Sequence, residues 1–203
     1  MFDTERVDGI NLKYNAPVTL TFALLSLLAL ALAELTDGWT TQNLFSVYKS
    51  PLTDYLTYPR FILHVLGNTD LTTCTANVIV LLVVGPAAED RFGSAKVLTA
   101  VLLTAIATGL VMWFLFPDAV LMGASGEIFM LMVLASFASV RGGYIPLTLL
   151  LVLVLYLGSE ILQAVTGTAG LSELTHIAGG AVGVLLGLFV NLRYSKLTEG
   201  VEA

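Results

Sequence analysis

Ser125, in Gly123-Ala124-Ser125-Gly126, and His176, in His176-Ile177-Ala178-Gly179-Gly180, each stand a few residues inside an apolar run of membrane-spanning character. A serine hydroxyl attacks a carbonyl only when a base removes its proton, and histidine is the usual base near neutral pH. Ionisable and nucleophilic groups are costly at membrane depth, so a functional reading is the default there. If the two segments pack together, proton transfer between the side chains gives an acyl-transfer centre below the lipid surface.

The neighbours of each residue sharpen the choice. Ser125 opens a helical run, where free backbone N–H groups and the helix dipole favour negative charge. An oxyanion formed during acyl transfer needs such a place. The same Gly-Ala-Ser-Gly also reads as a packing motif, because small residues let membrane helices approach closely. His176 precedes Gly179, Gly183 and Gly187, a small-residue stripe lying on roughly its own face of the helix. The imidazole faces whatever those glycines pack against; a buried histidine bonded to a neighbouring helix is the plainer alternative. Asn77 is an amide inside another apolar run, so it faces inward, either as an interhelical hydrogen bond or as an oxyanion donor. His64, the other histidine, precedes that run and is expected close to water. His64, Cys74 and His176 have the wrong spacing, and are too few, for a metal site. Cys74 reads as a small packing residue.

These residues need elements to hold them, and the composition says which kind. The 203 residues are 57% hydrophobic and 12% charged, with mean hydropathy +0.88, against about 25% charged in soluble domains. The expected fold is therefore an all-α membrane protein, a single domain over residues 1–203. A net charge of −6 excludes a general nucleic-acid footprint. Six spans of about 20 residues are expected at roughly 16–36, 70–88, 94–116, 123–140, 145–165 and 171–192. Residues 37–60 mix Trp39, Phe45, Tyr48, Tyr55 and Tyr58 with polar residues, which suits a loop or short helices in the interface.

Basic residues orient the bundle. Arg6, Lys13, Arg91, Lys96, Arg141, Arg193 and Lys196 fall on one side, and only Lys49 and Arg60 on the other. The positive-inside rule then puts both termini in the cytoplasm. Ser125 and His176 come out at similar depth near the extracytoplasmic side, His176 roughly 8 Å in at 1.5 Å per residue.

Together the motifs resemble the rhomboid intramembrane serine proteases, from about Arg60 to the sixth span. The likeness rests on Gly123-Ala124-Ser125-Gly126, on His176 with Gly179 and Gly183, on the spacing of Arg60, His64 and Asn77, and on Glu89-Asp90-Arg91 followed by Gly93. It implies a six-helix rhomboid-like bundle in the cell membrane. It implies that Ser125 attacks a peptide carbonyl, that His176 is general base and then acid, and that Asn77 and the Ser125 N–H stabilise the oxyanion. Substrates are expected to be transmembrane segments of other membrane proteins, with small residues before the cut and helix-breakers after it. No metal, nucleotide or other cofactor is expected. The chain departs from the family in four places. Thr73 stands where many rhomboids have a second oxyanion-hole histidine, and its hydroxyl can still donate. Phe129 replaces the tyrosine packed on the imidazole, and Pro59 the tryptophan before the loop arginine. Glu127 is unusual two residues after a rhomboid serine and points about 200° from Ser125 on an ideal helix. Glu160, beside Gly158 and Ser159, reads as an interfacial charge or a substrate contact, and Glu173 as an interfacial charge. The alternative reading is a catalytically silent rhomboid-like protein that binds membrane clients.

Overall fold

The computed structural model describes residues 15–138 and 175–188, with positions 147, 151, 154 and 158 between them. Apart from those four positions, the span expected at 145–165 lies outside the described residues, as do Ser159, Glu160, Glu173 and both chain ends.

Among the described residues, three helices are long and apolar enough to cross a membrane: α1 (Pro17–Leu35), α4 (Leu71–Phe92) and α5 (Ser94–Leu115). Each is within a few residues of its expected span, except that α4 continues past Pro86 to Phe92. At 1.5 Å per residue the 22 residues of α4 reach about 33 Å, enough for a hydrocarbon core of about 30 Å. Leucines and isoleucines such as Leu24, Leu28, Ile79, Leu82, Leu103 and Ile106 lie on the outer surface. In water that would be a liability; in lipid it is the natural solvent contact.

Two shorter apolar helices complete the described core. α6 (Ser125–Ala138) is buried over most of its circumference, with Gly126, Glu127, Ile128, Phe129, Met130 and Leu131 all inside. It packs most extensively against α4 and also against α5. The second, Thr175–Leu188, here called the distal helix, lies on α6 through its glycines.

The membrane helices are tied at both ends by polar contacts. Pro17 opens α1 but its N-cap, Ala16, offers no side-chain acceptor. Glu89 of α4 supplies one instead: its carboxylate accepts from the Thr19 N–H and hydroxyl, both at 2.6 Å, and from the Val18 N–H at 3.2 Å. A carboxylate at a helix N-terminus satisfies orphan donors and complements the dipole. Gly85 makes room for this contact, since a Cβ there would collide with Thr19.

At the opposite end, residues 37–66 fold over the bundle as α2 (Trp39–Asn43), β1 (Val47–Tyr48), α3 (Thr57–Leu63) and a 3₁₀ turn (His64–Leu66). The short helices match expectation. No residue pattern announces that β1 pairs antiparallel with β2 (Val120–Leu121), in the register Val47↔Leu121 and Tyr48↔Val120. That ladder ties the residues just before α6 to the connection after α1. Arg60 locks the connection from beneath. It is buried, its Nε donates to the Asn43 carbonyl at 2.9 Å, its Nη1 pairs with Asp54 at 3.0 Å, and its guanidinium sits 4.6 Å from the Tyr48 ring centroid.

Candidate active site

Ser125 is the first residue of α6, and Ala124 caps the helix, its carbonyl accepting the Ile128 N–H at 2.8 Å. The N–H groups of the first turn therefore have no acceptor within the helix. Chain direction into α6 is set by Gly123 at φ +106, a conformation closed to residues with a Cβ. Its N–H donates to the His64 carbonyl at 2.9 Å. The serine is half-buried.

The distal helix brings His176 to this end of α6. A Cβ on Gly179 would collide with the Gly126 carbonyl oxygen and stand 3.2 Å from the Gly126 Cα. One turn further, a Cβ on Gly183 would stand 2.9 Å from the Met130 carbonyl oxygen and 3.1 Å from the Val133 Cβ. A Cβ on Gly126 would in turn meet the Thr175 carbonyl oxygen at 3.2 Å. The backbone beside Ser125 thus touches the backbone beside His176, a closeness only glycine allows. Phe129, fully buried, lies with its ring centroid 6.3 Å from that of His176 and inclined by 59°. That arrangement restricts the imidazole to one side of α6.

Asn77 arrives from α4. A Cβ on Gly123 would stand 4.0 Å from its Nδ2, so the amide is beside the backbone that leads into Ser125. One Nδ2 hydrogen goes to the Oδ1 of Asn68 at 3.3 Å, and Asn68 in turn donates to the Leu66 carbonyl at 3.1 Å. This leaves a second amide hydrogen for another acceptor. Thr73, one turn earlier, is exposed and belongs to the start of α4. Its N–H donates to Asp70 Oδ1 and its hydroxyl to Asp70 Oδ2, both at 2.8 Å. These bonds and one from Thr69 hold the Asp70 carboxyl at about 2, below the usual carboxylate range. Thr73 would have to leave that cap to serve as a donor elsewhere.

His64 is a correction: expected near water, it is 1% exposed. The connection folds back over it, so its Nδ1 meets the Arg60 carbonyl at 3.1 Å and its Nε2 the Thr108 hydroxyl of α5 at 3.3 Å. Burial pushes its pKa down to about 4, against an opposing effect of the Arg60 and Phe61 carbonyls. The ring is therefore neutral at pH 7. A carbonyl only accepts, so Nδ1 carries the proton and Nε2 is left as an acceptor facing the Thr108 hydroxyl, whose single hydrogen also lies within reach of the Thr104 carbonyl at 2.9 Å and the Ala105 carbonyl at 3.1 Å. Thr108 also packs against Gly126, whose Cβ would be 3.1 Å from its Cγ2.

Sequence reasoning missed Asn68 and Thr108, which orient Asn77 and His64. Polar residues in a turn and mid-helix carry no pattern that announces such partners. Glu127 is 1% exposed, and its Oε1 has no hydrogen-bond partner among the described residues. Cys74 is fully buried, with its sulfur 3.9 Å from the Ser26 carbonyl.

Chemically, the end of the bundle that the β1–β2 ladder closes gathers a hydroxyl at a helix start, an imidazole on a touching helix and an amide donor. A family model described as Rhomboid domain matches residues 56–193. No curated protein matches the chain.

Proposed function

The chain belongs to the rhomboid family, and on that premise we propose that it is an intramembrane serine endopeptidase working through a Ser125–His176 dyad. The observation that carries the reading is the backbone contact of Gly179 with Gly126, which sets the helix bearing the imidazole directly on the helix bearing the hydroxyl. In this mechanism His176 takes the Ser125 proton as the hydroxyl oxygen attacks the scissile carbonyl. The tetrahedral oxyanion is held by the Ser125 N–H and the free Asn77 amide hydrogen. His176 then protonates the leaving amine, and a water molecule repeats the sequence to release the acyl group. Phe129 restrains the imidazole, and Gly179 and Gly183 set its distance from α6.

The whole protein is proposed as a six-span bundle in the cell membrane, with both termini cytoplasmic and the dyad toward the extracytoplasmic side. The substrates are transmembrane segments of other proteins. They must unwind locally, because a closed helical hydrogen-bond ladder hides the scissile carbonyl. Reaction with a fluorophosphonate probe in detergent tests the reading. Native protein should label, and Ser125→Ala and His176→Ala should not. A folded native chain that neither labels nor cuts membrane substrates would instead favour a client-binding relative.

A further inference from the structure

Asn77 can serve an oxyanion only if its amide presents nitrogen to the site, because an amide oxygen there would repel the developing charge. The last torsion of an asparagine side chain is broad and roughly two-fold, so an unrestrained amide can present either atom. We propose that Asn68 is the positioning residue that fixes this choice, and that the turn over residues 64–68 sets up the oxyanion hole as a unit. The proposal rests on the protease reading and adds to it the residue through which the Asn77 donor is held.

The hydrogen bonds leave one assignment. The Leu66 carbonyl can only accept, so the Asn68 atom that meets it at 3.1 Å is the amide nitrogen. The Asn68 oxygen is thereby turned away from Leu66 and toward Asn77, 3.3 Å distant. That oxygen also only accepts, so Asn77 must show it a nitrogen. The same nitrogen lies 4.0 Å from where a Cβ on Gly123 would stand, beside the chain leading into Ser125. One amide hydrogen goes to Asn68, and the other remains for the site. Asn68 is 6% exposed, so water has little access to take its place.

The turn is itself clamped. A Cβ on Gly67 would collide with the Phe45 carbonyl oxygen and stand 3.1 Å from the Met122 Cβ, so a larger residue does not fit between the connection and the approach to α6. The Gly67 carbonyl oxygen lies 3.8 Å from the Cβ position of Gly123, and the Gly123 N–H donates to the His64 carbonyl at 2.9 Å. One turn therefore holds both proposed donors: the start of α6 through Gly123, and the Asn77 amide of α4 through Asn68. Both must stand about 2.7–3.1 Å from a single oxygen atom. They belong to different helices, and neither helix alone sets their separation.

The test uses the full chain in detergent micelles and a fluorogenic single-span peptide. Turnover is counted per serine titrated by exhaustive fluorophosphonate labelling, so a partial loss of folded protein cancels. Asn68→Ala should lower kcat about 3- to 10-fold, the orientation ratio that one hydrogen bond of ordinary strength enforces. KM should stay within about twofold of native, since a loss confined to kcat marks an interaction made in the transition state. Asn68→Ser, whose hydroxyl is one bond too short to reach Asn77, should behave alike and replaces the alanine variant if that fails to fold. In an Asn77→Ala background the same substitutions should change kcat by less than about twofold, because no amide is left to orient. Native kcat in both Asn68 variants overturns the proposal. So does a raised KM at unchanged kcat, which would make Asn68 a substrate contact, or an equal loss with and without Asn77, which would make it structural only. In each of those cases the native chain still cuts the peptide and the protease reading stands. A native chain that neither cuts the peptide nor labels removes both.

Discussion

Gly179→Ala adds one methyl group at the contact on which the dyad depends. The new Cβ would collide with the Gly126 carbonyl oxygen and stand 2.9 Å from its carbonyl carbon and 3.2 Å from its Cα. Carbon atoms rest at about 3.5–4.0 Å, and all three obstacles are backbone, which no rotamer change can move. The two helices must part by about 1 Å. Overpacking of this kind costs about 1–3 kcal/mol, offset in part by up to about 1 kcal/mol of better helix propensity. The protein should therefore stay folded while its chemistry fails. A hydroxyl and its base need to lie within about 2.6–3.2 Å, and a misplacement of about 1 Å costs on the order of 100-fold in rate. The assay is the second-order rate of fluorophosphonate labelling, with helix content and thermal unfolding followed by circular dichroism. Gly158→Ala is the control, because a Cβ there meets nothing within 4 Å among the described residues. Labelling of folded Gly179→Ala within about threefold of the native rate would refute the claim that this contact positions the base.

Two further outcomes are expected. His64 has a folded-state pKa near 4 against 6.5 when unfolded, so its contribution is complete above pH 6.5 and declines as pH falls toward 4, by about 3 kcal/mol in all. Denaturant unfolding in micelles between pH 7.5 and 4.5 should show this slope in the native chain and lose it in His64→Asn; Asp70, titrating near 2, does not contribute in that window. Asn77→Ala should lower peptide cleavage about 100- to 1000-fold, the usual cost of one oxyanion donor, while leaving the micellar unfolding midpoint nearly unchanged. Equal losses in rate and stability would make the amide structural only.

Much of the candidate site could be read from residue order because its physics is local. A serine at a helix start, a glycine stripe one turn after a histidine and an amide within an apolar run each advertise their surroundings through spacing alone. Arg60 and His64 were different: their spacing was visible, but their burial depends on a connection that folds back through Asn43, Tyr48 and Asp54. No periodicity encodes a two-residue ladder between Val47–Tyr48 and Val120–Leu121.

Residue order alone was enough to read that apolar helices form in lipid, which residues carry potential chemistry, and where glycine permits helices to touch. These follow from hydrophobic length, side-chain chemistry and the 3.6-residue repeat, all properties of single segments. It took the assembled bundle to show that Gly179 meets Gly126, that Asn68 turns Asn77 and that Glu89 caps α1. Each depends on which distant surfaces come together, and that choice is made by packing summed over the whole bundle.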